Sequence, residues 1–86
     1  MPLRVLKWNV TVDDKFHEIG SGKVCLVACQ NGPDTVQVWT EESEEVTLGS
    51  AIVVGTGHPV PDFTEHIGSV VTAGGALVWH VYGSKE

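Results

Sequence analysis

Apolar residues fall at every second position in three separate stretches, and this period restricts the fold more than any other feature. From Arg4 onward, Leu6, Trp8, Val10 and Val12 alternate with Val5, Lys7, Asn9 and Thr11. In residues 35–40, Val36 and Val38 oppose Gln37 and Trp39. In 76–82, Leu77, Trp79 and Val81 oppose Ala76, Val78, His80 and Tyr82. Successive side chains on a strand point to opposite faces, so period two with β-branched and aromatic residues specifies half-buried strands. No stretch sustains the 3.6-residue period of an amphipathic helix. At most one short helical turn fits, near 62–66, with Asp62 as its N-cap.

Glycine, proline and acidic clusters punctuate the strands. Asp13-Asp14 ends the first. Phe16 to Ile19 is short and ambiguous, and Gly20-Ser21-Gly22 reads as a turn. Lys23 to Gln30 is apolar on both faces and suits a central strand. Asn31-Gly32-Pro33-Asp34 is the strongest turn signal, so 23–30 and 35–40 read as a hairpin. Glu41, Glu42, Glu44 and Glu45 read as a solvated turn. Gly49-Ser50, the 55–62 loop and Ala73-Gly74-Gly75 supply the remaining breaks. The expected strands lie near 4–12, 23–30, 35–40, 51–54, 67–72 and 76–82. This is an all-β chain: a single small sandwich or barrel-like domain of six to seven short strands. It forms one domain over 1–86, with 83–86 as a frayed tail. A domain of this size buries only about 63% of its surface on folding. A second copy covering an edge strand is therefore expected, making a homo-oligomer.

Charge and motif content exclude several function classes. Five Lys and Arg against eleven Asp and Glu give a net charge of −6. That lacks the basic footprint of a nucleic-acid polymer binder. No apolar run approaches the ~18 residues of a membrane helix, and the N-terminus has no continuous apolar segment of a secretory signal. No membrane partner is expected, and the location is cytoplasmic. Cys25 and Cys29 lie about 13 Å apart on a strand, out of disulfide reach. They read as reduced core residues on one face. No CxxC pair, HExxH or zinc-finger spacing appears, so no metal site is expected. There is no GxSxG elbow, no P-loop and no dinucleotide fingerprint. No catalytic residue and no cofactor are assigned.

What remains is a candidate ligand site. Gly55 and Gly57 let a ligand approach backbone N–H donors, with Thr56 between them. Pro59 and Pro61 stiffen the loop before binding. His58 and His80 supply donors that become cationic near neutral pH, and Trp79 or Tyr82 can stack a planar base. The site expected is Gly55, Thr56, Gly57, His58, Trp79, His80 and Tyr82. The bland alternative is that the glycines merely turn the chain and His80 bonds within the core.

Three motifs carry a family likeness: Gly55-Thr56-Gly57-His58-Pro59-x-Pro61, His66-Ile67-Gly68-Ser69-Val70, and Gly75-x-Leu77-Val78-Trp79-His80-Val81-Tyr82. Together with Lys7-Trp8 and Val38-Trp39, they resemble a family of small phage and prophage β-rich proteins without an established activity. The likeness covers most of 6–82 and is strongest from 52 onward. His66 stands where the family prefers Tyr, and Tyr82 where it prefers Phe. The resemblance implies a bacteriophage protein acting in the host bacterial cytoplasm, with a counter-defence role among its expectations. The expected function is a binding module without its own catalytic chemistry, taking a host protein or sequestering a small anionic, nucleotide-like signal. The alternatives are a structural or accessory protein of the virion or its assembly, and a small hydrolase or metal enzyme using His58, His66 or His80.

Overall fold

A computed structural model describes residues 4–29, 34–42, 48–72, 75 and 77–84. The alternating stretches form strands, as their period requires. The elements are β1 (Val5–Thr11), β2 (His17–Ala28), β3 (Thr35–Glu42), β4 (Leu48–Gly55), β5 (Glu65–Val71) and β6 (Val78–Ser84). They make one antiparallel sheet in the order β1-β3-β2-β4-β6-β5. The all-β class is as expected, with no helix spanning the described residues. None is long and apolar enough to cross a membrane.

The sheet does not stay flat, because β2 serves two neighbours in succession. Its first half pairs with β4 through His17↔Ala51 and Glu18↔Ser50, and its second half pairs with β3 from Gly22 to Ala28. The changeover occurs at Gly20 and Gly22, where the sequence suggested a turn. Gly20 adopts φ +68°, and a Cβ there would lie 2.8 Å from Cζ2 of Trp8. A Cβ at Gly22 would lie 2.6 Å from the Glu41 carbonyl oxygen. These glycines bend a continuous strand and admit close neighbours instead of reversing the chain. Gly49 and Ser50 likewise lie within β4 and do not break it.

Bending at β2 brings the two halves of the sheet face to face. Val10, Val36 and Val38 from one half meet Ile19, Ala51, Val53, Val70 and Val81 from the other, all buried. Trp8, Val24, Val27, Ile67 and Trp79 pack around them. The even positions of β1 and β3 face inward, as their alternation requires. Trp8 Nε1 donates to Thr40 Oγ1 at 2.9 Å, so the buried indole N–H is satisfied. At the far edge, β5 comes so near β2 that a Cβ on Gly68 would sit 2.5 Å from Cγ2 of Val27.

Polar contacts fix the ends of β1. The Arg4 guanidinium grips Glu42 through Nε–Oε1 at 2.8 Å and a second nitrogen at 3.2 Å. The hydrogen bond from Arg4 holds the Glu42 carboxyl below its ordinary range. Glu41 and Glu42 are thus the last residues of β3, not part of a turn. Glu44 and Glu45 lie outside the described residues. Asp13 accepts from the Lys15 N–H and pairs with His17 Nε2 at 2.8 Å, closing the β1–β2 connection. His17 accordingly lowers the Asp13 pKa.

At most one helical turn was expected at 62–66, and the segment holds none. Phe63 takes φ 61°, outside the right-handed helical region, and Glu65 already begins β5. Gly83 and Ser84 are not frayed but paired in β6, opposite Ala51 and Ser50; Lys85 and Glu86 lie outside the described residues. The Asn31–Pro33 turn also lies outside them, although the β2–β3 antiparallel pairing is present. Both cysteines are free, but only Cys29 packs against the core; Cys25 is exposed. The cause is a register shift between Val24 and Leu26, which puts Cys25 at an extra position.

Two outcomes follow for solution measurements. A bulky thiol reagent added to the native protein will modify Cys25 much faster than Cys29, as read by mass spectrometry of peptides. Gly68→Ala will destabilise the domain by about 1–3 kcal/mol through overpacking. Combining it with Val27→Ala will relieve the clash, so the double variant will lose less in urea denaturation than the two single losses added.

Candidate functional site

The site lies on the outer face of the β4–β6–β5 half, where the chain leaves β4. Gly55 to His58 forms a tight turn closed by His58 N–H donating to the Gly55 carbonyl at 3.0 Å. Gly57 has φ +91°, the left-handed value that the third position of a type II turn requires. Open space surrounds the position its Cβ would occupy. The loop then folds back so that Val60 and Val54 line the same cleft. This cleft, of about 190 Å³, is completed by Gly55, Thr56, Gly57, His58, His80 and Tyr82.

A second cleft, of about 330 Å³, opens on the other side of the turn. Gly55, Thr56, His58, Leu77, Val78 and Trp79 line it. The seven residues singled out in the sequence thus gather around one turn but do not share one cleft. His80 and Tyr82 project from one face of β6 and Trp79 from the other, as strand alternation demands. Trp79 packs against Gly55, where a Cβ would lie 3.2 Å from Cζ3.

Two further residues join the site that sequence reasoning did not place there. Ser69 Oγ lies 2.8 Å from His80 Nδ1 and 2.9 Å from His66 Nε2. His80 Nε2 in turn lies 2.9 Å from Thr56 Oγ1. The result is an unbroken chain of hydrogen bonds, Thr56–His80–Ser69–His66. Tyr82 meets the His66 ring edge-on with centroids 5.3 Å apart. On an ideal strand His66 and Ser69, three residues apart, would face opposite ways. A register shift between His66 and Gly68 sets both on the His80 side: His66 opposes Tyr82 and Ser69 opposes His80. The hidden sequence signal was Gly68 within an otherwise β-like run, which marks a bulge.

Chemically, the chain offers two hydroxyls and two imidazoles in line. His80 uses both ring nitrogens, so in its neutral form one donates and the other accepts. Its Nδ1 meets a neutral hydroxyl. Among the described residues no carboxylate pairs with His66 or His80, so the orienting acid of a hydrolytic triad is missing there. Among the described residues no cluster of three His, Cys, Asp or Glu side chains is arranged to hold a metal ion.

The fold and site together define a small antiparallel β domain with a glycine-turn cleft backed by a hydroxyl–imidazole chain. The chain belongs to the family of the domain of unknown function DUF7352, which matches residues 1–86. No curated protein and no solved structure matches it.

The hydrogen-bond chain lies on an exposed surface, where water can replace lost partners. His80→Ala and Ser69→Ala should therefore each cost no more than about 0.5–1.5 kcal/mol. Thermal unfolding with a near-native melting temperature checks this. A collapse of stability in both would mark the chain as structural.

Proposed function

We propose that this protein is a small binding module that captures an anionic, nucleotide-like ligand at the Gly55–His58 turn. The observation that carries this reading is the convergence of Thr56, His58 and His80 on one cleft beside the unobstructed Gly57. Imidazole and hydroxyl groups donate to oxyanions, and a glycine without neighbours lets a ligand reach the backbone. The first cleft suits a phosphate-sized group. The second shares Gly55, Thr56 and His58 with it and presents Trp79 and Leu77. A single ligand straddling the turn would place its anionic end by Thr56 and His80, and a planar group against Trp79. The net charge of −6 does not forbid this, because opposing surface charges beyond about 8 Å are screened at physiological salt.

The setting belongs to the same proposal. The resemblance to small phage proteins supports a phage protein working in the host bacterial cytoplasm, where sequestering a nucleotide signal would counter host defence. A host protein is the alternative partner. Self-association is supported by apolar residues on the outer face of β1, β3 and β2. Val5 and Leu26 are each more than half exposed there, Leu26 beside Trp39 and Val5 opposite Glu41. Lys7 Nζ caps the Trp39 ring at 5.9 Å, so the indole is only partly available.

Titration of the ¹⁵N-labelled protein with adenosine 5′-monophosphate tests the reading. Amide signals of residues 55–58 and the Trp79 indole should move together in a saturable way. Thr56→Val and His58→Ala should each weaken binding about fivefold or more, the loss of one hydrogen bond to a charged group. Unmoved signals at these residues, or full affinity in both variants, would refute the site.

A further inference from the structure

The hydrogen-bond chain behind the cleft has a direction, and that direction decides what the cleft offers a ligand. When both imidazoles are neutral, two opposed arrangements satisfy all three bonds. In one, Thr56 donates to His80 Nε2, His80 Nδ1–H donates to Ser69, and Ser69 either donates to His66 Nε2 or, through its second lone pair, accepts from His66 Nε2–H. The Thr56 oxygen then has only lone pairs to present. In the other, His66 Nε2–H donates to Ser69, Ser69 donates to His80 Nδ1, and His80 Nε2–H donates to Thr56. The Thr56 O–H is then free to point at a ligand. The separations of 2.9, 2.8 and 2.9 Å accommodate both equally.

Adding one proton biases the choice. If His66 is protonated, its Nε2–H must donate, so Ser69 no longer donates to His66 and its O–H is free for His80 Nδ1, which favours the second arrangement. If His80 is protonated, its Nε2–H must donate to Thr56 directly. Either way the balance shifts toward Thr56 as a donor to the cleft. An oxyanion in the cleft demands the same state. A proton on the chain and an anion in the cleft therefore favour one another, and the coupling is reciprocal.

We propose that Thr56–His80–Ser69–His66 is a proton relay that makes the cleft selective for an oxyanion and couples its capture to proton uptake. This rests on the reading of the cleft as an anion site and adds its regulation. Ser69 and His66 act from behind: neither lines the cleft. They are positioning residues that set the polarity of Thr56. The other titratable groups lining the cleft are His58 from the turn and Tyr82 from β6, and next to His66 in β5 stands the exposed Glu65, opposite Gly83. Beside the relay β4 presents only Ile52 and Val54, both buried, while Glu18 of β2 lies farther along, opposite Ser50. His58 also lines the cleft, so affinity alone does not report the relay. The His66 tautomer does, because its hydrogen bond reaches the cleft through Ser69 and His80, whereas its edge-on contact with Tyr82 passes no proton.

The probe is sulfate, whose charge is constant through the imidazole range. Binding is followed by the amides of 55–58 and by long-range ¹H–¹⁵N spectra of the imidazoles, at about pH 8 and about pH 6. Wild type should bind sulfate about tenfold more tightly at the lower pH. At the higher pH, sulfate should shift the His66 ring toward the form protonated at Nε2. In Ser69→Ala the amides should still respond to sulfate, but His66 should not; Ser69→Thr, which keeps the hydroxyl, should restore the response. A wild-type His66 ring that ignores sulfate while the amides respond would overturn the relay and leave the anion site standing. A His66 response surviving in Ser69→Ala would also overturn it. Amides unmoved by sulfate at either pH would defeat the anion site, and the relay with it.

Discussion

The contact of Val27 with Gly68 is the constraint on which the described structure turns. Val27 belongs to the second half of β2 and Gly68 to β5, three places away in the sheet. Only a folded-over sheet brings them together, and only a residue without Cβ lets them meet at this separation. The contact closes the far side of the core, where Ile67 and Val70 pack inward. The same glycine stands at the register shift of β5. Packing and site geometry are therefore joined at one residue, since the shift that accommodates Val27 also turns His66 and Ser69 toward His80.

Register shifts recur in this domain, and each changes the chemistry of a surface. In β2 the shift at Gly20–Gly22 exchanges one partner strand for another and seats the Trp8 indole. The shift at Cys25 places Val24 and Val27, three residues apart, against the same core while exposing the thiol. The shifts at Cys25 and in β5 each insert one extra residue into a period of two, which locally reverses which side chains face inward. A small sheet gains curvature by this means.

The cleft gains its character from combining rigid and adaptable parts. Gly57 is held at a positive φ by the turn, and Pro59 and Pro61 limit the loop beyond it. Behind this rigid frame, the hydroxyl–imidazole chain can reverse its polarity without moving a heavy atom. A site of this kind adapts by proton position, so ordering it costs little conformational entropy.

Much of the fold was legible in the sequence because side-chain alternation is a local property. Leu6 to Val12, Val36 to Thr40 and Trp79 to Tyr82 announced their strands and their inward faces directly. So did the grouping of Gly55, Thr56, Gly57 and His58 with β6, since a short turn and a neighbouring strand are the simplest arrangement. The sequence misled where glycine was the evidence: Gly20-Ser21-Gly22 reads locally as a turn, yet a close approach from Trp8 and Glu41 uses the same missing side chain to bend a strand. Single-residue shifts are not written in the period of two; they are fixed by what packs across the sheet. The meeting of His66, Ser69, His80 and Thr56, and the division of Trp79 from His80 and Tyr82 around the Gly55 turn, were consequently decided by tertiary packing. The sequence determined which residues could form strands and turns, whereas the Val27–Gly68 contact and the bulges around it determined which side chains came to share a site.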